Sequence, residues 1–311
     1  MSGTIISSSV SYWHGLLSVL GWDRGLGWIF VMGFLVSAAC GLAGNFMMLR
    51  RMTLMGDALS HSLLPGVVLA FLLTQSRSPM VMVIGAVLAT MAAALLIEWI
   101  EKHSRLKKDA VIGIVFTSFF ALGVLLINVF AAQVDLDGDC VLYGELGLIF
   151  LADPVTLWAG YQAPVPVVRM VVMVVVLVAL IFIFYKEWVV TAFDPGLART
   201  LGIPTGIFHY GFMMLLSLVI VSAFESVGVI LVMAMLIFPG ATASLLTKRL
   251  PQRLLFSCLL SALYAFGGLQ LAITWDANIA GVMTVVAGGL FLLAWMADRL
   301  KQALRGSVLL R

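Results

Sequence analysis

The chain has 311 residues, 62% of them hydrophobic and only 11% charged, with a formal net charge of +3 and a mean hydropathy of +1.13. Soluble domains run near half apolar and about a quarter charged. The composition therefore excludes soluble enzymes, nucleic-acid binders and secreted modules, and describes a multi-pass membrane protein.

The opening segment, MSGTIISSSVSYWHG, lacks a basic start followed by an apolar core, so no cleaved signal peptide is expected. Apolar runs long enough to cross a hydrocarbon layer of about 30 Å as helix then appear at 26–48, 54–74, 79–99 and 110–132. The stretch 133–166 interrupts them; it is acidic, contains proline, and its apolar piece Leu146 to Leu151 is too short to span. Further runs at 167–185, 206–223, 227–246, 254–273 and 279–297 bring the number to nine. Almost no loop separates 206–223 from 227–246, which leaves eight as the alternative. The expectation is an all-α polytopic transmembrane helix bundle forming a single domain, 1–311.

Basic residues orient such a bundle, because Lys and Arg collect on the cytoplasmic side. With the N-terminus outside and the C-terminus in the cytoplasm, the inner segments carry Arg50 and Arg51; Lys102, Arg105, Lys107 and Lys108; Lys186 and Arg199; Lys248, Arg249 and Arg253; and Arg299, Lys301, Arg305 and Arg311. Only Arg24, Arg77 and Arg169 of the 18 basic residues then fall outside. Cys40 and Cys258 sit in apolar runs and Cys140 in a polar loop, so no disulfide framework is expected.

Ionisable residues inside a span are costly and point to function. In MGDALSHSLLPG, residues 55–66, Asp57 and His61 are four apart and share a helix face. A carboxylate and an imidazole so placed can share one zinc, manganese or ferrous ion. Pro65 has no N–H and so deprives the His61 carbonyl of its helical partner. The plainer reading makes Asp57 an interfacial carboxylate and His61 a hydrogen-bonded bundle residue. Glu225 stands at the outer junction of the sixth and seventh runs, as a cation-attracting carboxylate or a solvated acid. Pro239, followed by Gly240, predicts a kink in the seventh run, for a pathway or simply for packing.

Asp135, Asp137, Asp139 and Glu145 form an acidic outer patch without the register of a calcium loop. His14, His103 and His209 have no partner at metal-ligand spacing and read as structural. On the inner side, Asp194 and Pro195 can start a short helix, as N-cap and first helical residue, over Gly196 to Leu201, with Gly202 and Pro204 ending it. An exposed helix there suits docking to a partner. Phosphate-binding loops, H-E-x-x-H and G-x-S-x-G are all absent. Two further readings of the Asp57/His61 pair are a proton relay in an ion-coupled secondary transporter and an intramembrane metalloenzyme.

The run GNFMMLRRMTLMGDALSHSLLPGVVLAFLL, 44–73, together with FDPGLARTLGIPTG, 193–206, and FESVGVILVMAMLIFPGATASLLTKRL, 224–250, resembles the metal-type permease family of ABC transporters. The resemblance implies the membrane subunit of a bacterial zinc, manganese or iron importer in the cytoplasmic membrane. It implies a second permease copy or paralogue, ABC ATPase subunits inside that supply the missing phosphate chemistry, and a metal-binding protein outside. No permanently bound cofactor and no nucleic acid belong to it; the metal is cargo. The family's pathway carboxylate and histidine fall on Asp57 and His61. Its ATPase-coupling element falls on Asp194, Pro195, Gly196, Leu197, Ala198, Arg199 and Gly202. The acidic loop 133–145 looks similar to members assigned to mixed manganese, zinc or iron uptake.

Overall fold

A computed structural model of the chain describes residues 24–76, 78–130, 146–156 and 162–308. Apolar segments that must satisfy every backbone N–H and C=O without water do so as helices or closed barrels. Here they are helices. Four long ones come first: α1 (Arg24–Leu49), α2 (Thr53–Thr74), α3 (Pro79–His103) and α4 (Lys108–Phe130). After a 3₁₀ turn at Leu146–Leu151 and two strands come α5 (Val165–Ile183), α6 (Tyr185–Phe193), α7 (Pro195–Thr200), α8 (Thr205–Leu246), α9 (Leu250–Trp275) and α10 (Ile279–Val308). Nine stretches among the described residues are long and apolar enough to span, and α8 supplies two of them.

The two halves of α8, Thr205–Phe224 and Ser226–Leu246, fall on the runs 206–223 and 227–246, between which almost no loop was expected. They run into each other across Gly228, whose φ of 74° and ψ of 171° fall in a region open essentially to glycine alone. Pro239 and Pro65 both lie inside continuous helix, so the interior break of α8 is at Gly228 and not at Pro239. Proline removes one hydrogen bond, whereas Gly228 reverses the sign of φ.

The all-helical expectation needs one addition. β1 (Pro154–Thr156) and β2 (Gln162–Pro164) form an antiparallel ribbon that pairs Val155 with Ala163. The neighbouring 3₁₀ turn packs Leu146 and Ile149, both buried, against the bundle, which is how the short apolar piece of the 133–166 stretch is used. The acidic residues Asp135, Asp137, Asp139 and Glu145 lie outside the described residues, as do His14 and Cys140. Cys40 and Cys258 are free thiols.

The core centres on α1, which packs against α8, α9 and α5. Small residues let the backbones approach, as lipid-embedded interfaces require. A Cβ on Gly44 would overlap the Leu236 carbonyl oxygen, and one on Gly41 would stand 2.9 Å from Pro239 Cβ. A buried polar chain pins the same crossing: Asn45 Nδ2 donates to Ser257 Oγ at 2.7 Å, and Ser257 Oγ donates to the Pro239 carbonyl at 3.3 Å. On the other side, α2 packs against α3 and α4, meeting α3 through a Gly66–Gly85 contact with no room for a methyl group.

Candidate functional site

Asp57 lies four residues into α2, about 6 Å along the axis from its start. Its Oδ1 is 3.4 Å from His61 Nε2, with 39% of the Asp57 side chain and 21% of the His61 side chain exposed. The helix therefore brings the two groups together, on a face the single chain leaves open. The imidazole is oriented by α4: Phe116 and Phe120 hold their ring centroids 5.0 and 5.5 Å from that of His61. Two donor atoms 3.4 Å apart, each bonded to a zinc-sized ion at about 2.0–2.1 Å, subtend an angle of roughly 110° there, close to tetrahedral. The spacing of the pair thus suits sharing one ion.

It is an incomplete ligand set. No group of three or more His, Cys, Asp or Glu capable of holding a metal occurs among the described residues. The His61 carbonyl, freed by Pro65, points toward the C-terminal end of the helix, away from Asp57. Ser60 and Ser62 contribute no ligand: both are buried and donate back to the helix, to the carbonyls of Gly56 at 2.9 Å and Ala58 at 2.6 Å. The backbone of Glu225 lies in α8, three residues before the Gly228 break, and its side chain lies outside the described residues.

The segment 194–202 folds as expected. Asp194 Oδ1 accepts from the N–H groups of Gly196 at 2.9 Å and Leu197 at 3.0 Å, with Pro195 in the first helical position. Ala198 is buried beneath the helix, while Leu197 and Leu201 are exposed. Gly202, at φ 76°, ends it in left-handed backbone, and the Gly202 and Ile203 N–H groups return to the carbonyls of Arg199 and Ala198 at 3.0 Å each. That double bond is a Schellman stop.

A second polar cluster was not evident from sequence spacing. Arg50, in the turn between α1 and α2, donates from Nη2 to Thr191 Oγ1 on α6 at 3.3 Å. Its Nη1 lies 3.5 Å from His209 Nδ1 on α8, and its guanidinium carbon 4.6 Å from the centre of the Phe212 ring. Burial lowers the Arg50 pKa to about 10, and its buried Nε has no hydrogen-bond partner among the described residues. His209 Nε2 is 3.6 Å from Glu98 on α3, which also binds Lys102 at 2.8 Å. His209 is thus not an isolated structural histidine, because folding brings Arg50, Glu98 and His209 together from three distant parts of the chain. His103 does stay local, stacked on Trp99 at 5.1 Å. A cavity of about 320 Å³ opens beside Glu98, Glu101 and His209, with Met52 and Met55 as its α2 wall. Met55 is about 200° around α2 from Asp57, so this cavity and the Asp57/His61 pair use opposite faces of one helix.

Residues 24–298 match the ABC 3 transport family. The zinc transport system membrane protein TroD of Treponema pallidum (strain Nichols) is 39% identical over 268 residues, 86% of this chain and 72% of the relative. The manganese transport system membrane protein MntD of Bacillus subtilis (strain 168) is 41% identical over 262 residues, covering 84% of this chain and 88% of the relative. Among solved structures, PsaBC from Streptococcus pneumoniae in complex with Fab superimposes with a TM-score of 0.75 at 32% identity, covering 91% of this chain and 95% of that one.

Proposed function

The chain belongs to the ABC 3 transport family, and from that premise we propose that it is the membrane permease of an ATP-driven importer for a divalent transition metal. Membership sets it among transport subunits and not among enzymes, which removes the metalloenzyme reading. The observation that carries the proposal is the Asp57/His61 pair, already spaced to share one ion on an open face.

The cargo is zinc, manganese or iron, the ions this donor pair accepts. Relatives named for zinc and for manganese transport support the first two. Because one chain offers two side-chain ligands, a second permease copy or paralogue completes the site. Two pairs facing a common axis supply up to four ligands, and water supplies others. Moderate binding suits transit, since a closed cage of four protein ligands retains zinc.

The distribution of basic residues sets α7, Arg50 and the Glu98 cluster on the cytoplasmic side of a bacterial inner membrane, with 1–311 forming one permease domain. A metal-binding protein docks outside and ABC ATPase subunits inside, where the capped helix α7 presents Leu197 and Leu201 to them. Alternating access then carries the ion past Asp57 and His61. Asp57 is only about 6 Å into α2, which puts the pair at the inner part of the route. Glu225, three residues before the Gly228 break in the middle of α8, serves as an outer cation-attracting carboxylate.

Uptake of radiolabelled Mn²⁺ or Zn²⁺ into proteoliposomes holding the complete complex tests the proposal. Asp57→Ala and His61→Ala each abolish ATP-dependent uptake while the complex still assembles. Normal accumulation in both variants removes the site.

A further inference from the structure

We propose that Arg50 is a positioning residue for transport, the joint through which movement of α7 reaches the metal-bearing helix α2. The inference rests on the permease reading above, and its evidence is the geometry at both ends of one side chain.

On the α2 side the connection is stiff. The turn closes α1 with the Arg51 N–H on the Met48 carbonyl at 3.0 Å and the Met52 N–H on the Met47 carbonyl at 3.1 Å. Arg51 itself is held at φ 55°, where glycine is the usual residue. Met52 then caps α2. A displacement of the Arg50 backbone therefore moves the start of α2, and Asp57 follows within two turns.

On the α7 side the connection is short. Thr191 is three residues before Asp194, the cap of α7. Its hydroxyl donates back to the Glu187 carbonyl at 2.8 Å, leaving a lone pair for Arg50. Trp188, one turn earlier, is buried edge-on between Phe46 of α1 at 5.6 Å and Phe212 of α8 at 6.0 Å. The end of α6 cannot shift without disturbing this aromatic stack and the guanidinium lying against Phe212.

The bonds are of a grade that can break in every cycle. Arg50 is held by a hydroxyl, an imidazole and a ring face, and among the described residues no carboxylate pairs with it. A buried arginine–carboxylate pair would lock the joint, because separating it strands two charges. The Nε without a partner among the described residues adds a cost to this arrangement, which lowers the cost of leaving it. Contacts that differ between two states are what a coupling residue needs.

The test compares Arg50→Met, Arg50→Lys and Thr191→Val in the complete permease–ATPase–binding-protein complex in proteoliposomes. It records ATP hydrolysed per radiolabelled Mn²⁺ or Zn²⁺ taken up, metal affinity and the unfolding midpoint. Arg50→Met raises ATP spent per ion about tenfold, Thr191→Val about threefold, and Arg50→Lys restores part of the coupling, the range of ordinary site-to-site coupling. Metal affinity and the unfolding midpoint stay at wild-type values. Unchanged stoichiometry in Arg50→Met and Thr191→Val overturns the assignment, as does a parallel loss of hydrolysis, transport and stability. If Arg50→Met does not assemble, Thr191→Val, which keeps the guanidinium, decides alone. A wild-type complex without ATP-dependent uptake refutes the permease reading itself, and the role of Arg50 falls with it.

Discussion

Gly66→Ala is a severe change for one methyl group, because α2 and α3 cross there on bare backbone. A Cβ on Gly66 would overlap the Gly85 carbonyl oxygen and stand 2.5 Å from Ala89 Cβ. Carbon atoms rest at about 3.5–4.0 Å, so the helices must part by about 1 Å or more. Neither obstacle is a flexible side-chain end that can swing aside. Overpacking of this kind costs about 1–3 kcal/mol, and here the strain falls on the helix that carries Asp57 and His61, five residues before the crossing. The variant should unfold at a lower temperature in detergent and bind metal more weakly. Gly113→Ala is the control: nothing lies within 4 Å of its added Cβ, and alanine favours helix over glycine by up to about 1 kcal/mol. Equal melting of Gly66→Ala and wild type would refute the close-crossing argument.

Asp194→Ala removes the acceptor for two N–H groups at the start of α7, costing about 1 kcal/mol of local helix stability; binding of the ATPase to the permease should weaken while the membrane helices melt normally, and Asp194→Asn should retain most of the affinity. For Arg50→Met, the depressed pKa fixes the sign. A base whose folded pKa falls from the ordinary arginine value to about 10 is accommodated less favourably in its charged form. The fold therefore bears a cost at every pH below about 10, relieved only as pH rises above that value toward the ordinary arginine pKa. That cost is at most roughly 3 kcal/mol, and it offsets the hydrogen bonds and ring contact the variant loses, each about 1 kcal/mol. The unfolding midpoint at neutral pH should stay near that of the wild type; a large drop would show Arg50 to be a structural clamp.

Helix positions were legible because hydrophobic run length is dictated by the membrane, and seven of the eight connections between the spans carry polar, glycine or proline punctuation. The exception is instructive. Between Phe224 and Ser226 the chain has no loop, and a single glycine does what elsewhere takes several residues, a device that hydropathy does not register. The Asp57/His61 pair could be read directly, since one helix turn sets its geometry. The cap and stop of α7 were equally local. The Arg50 junction was not, for its members lie at 50, 98, 191, 209 and 212, and only packing of three helices against the α1–α2 turn joins them. Spacing along the chain made His209 look solitary. The β1–β2 ribbon was missed for a related reason: three-residue strands beside proline carry no alternating pattern of their own.

The most direct test of the central claim is X-ray absorption of zinc bound to the purified permease, comparing wild type with His61→Ala and Asp57→Ala. The account predicts nitrogen and oxygen ligands at about 2.0–2.2 Å, loss of the imidazole scattering signature in His61→Ala, and weaker binding in both variants. Zinc bound with the same spectrum and affinity in all three proteins would contradict it.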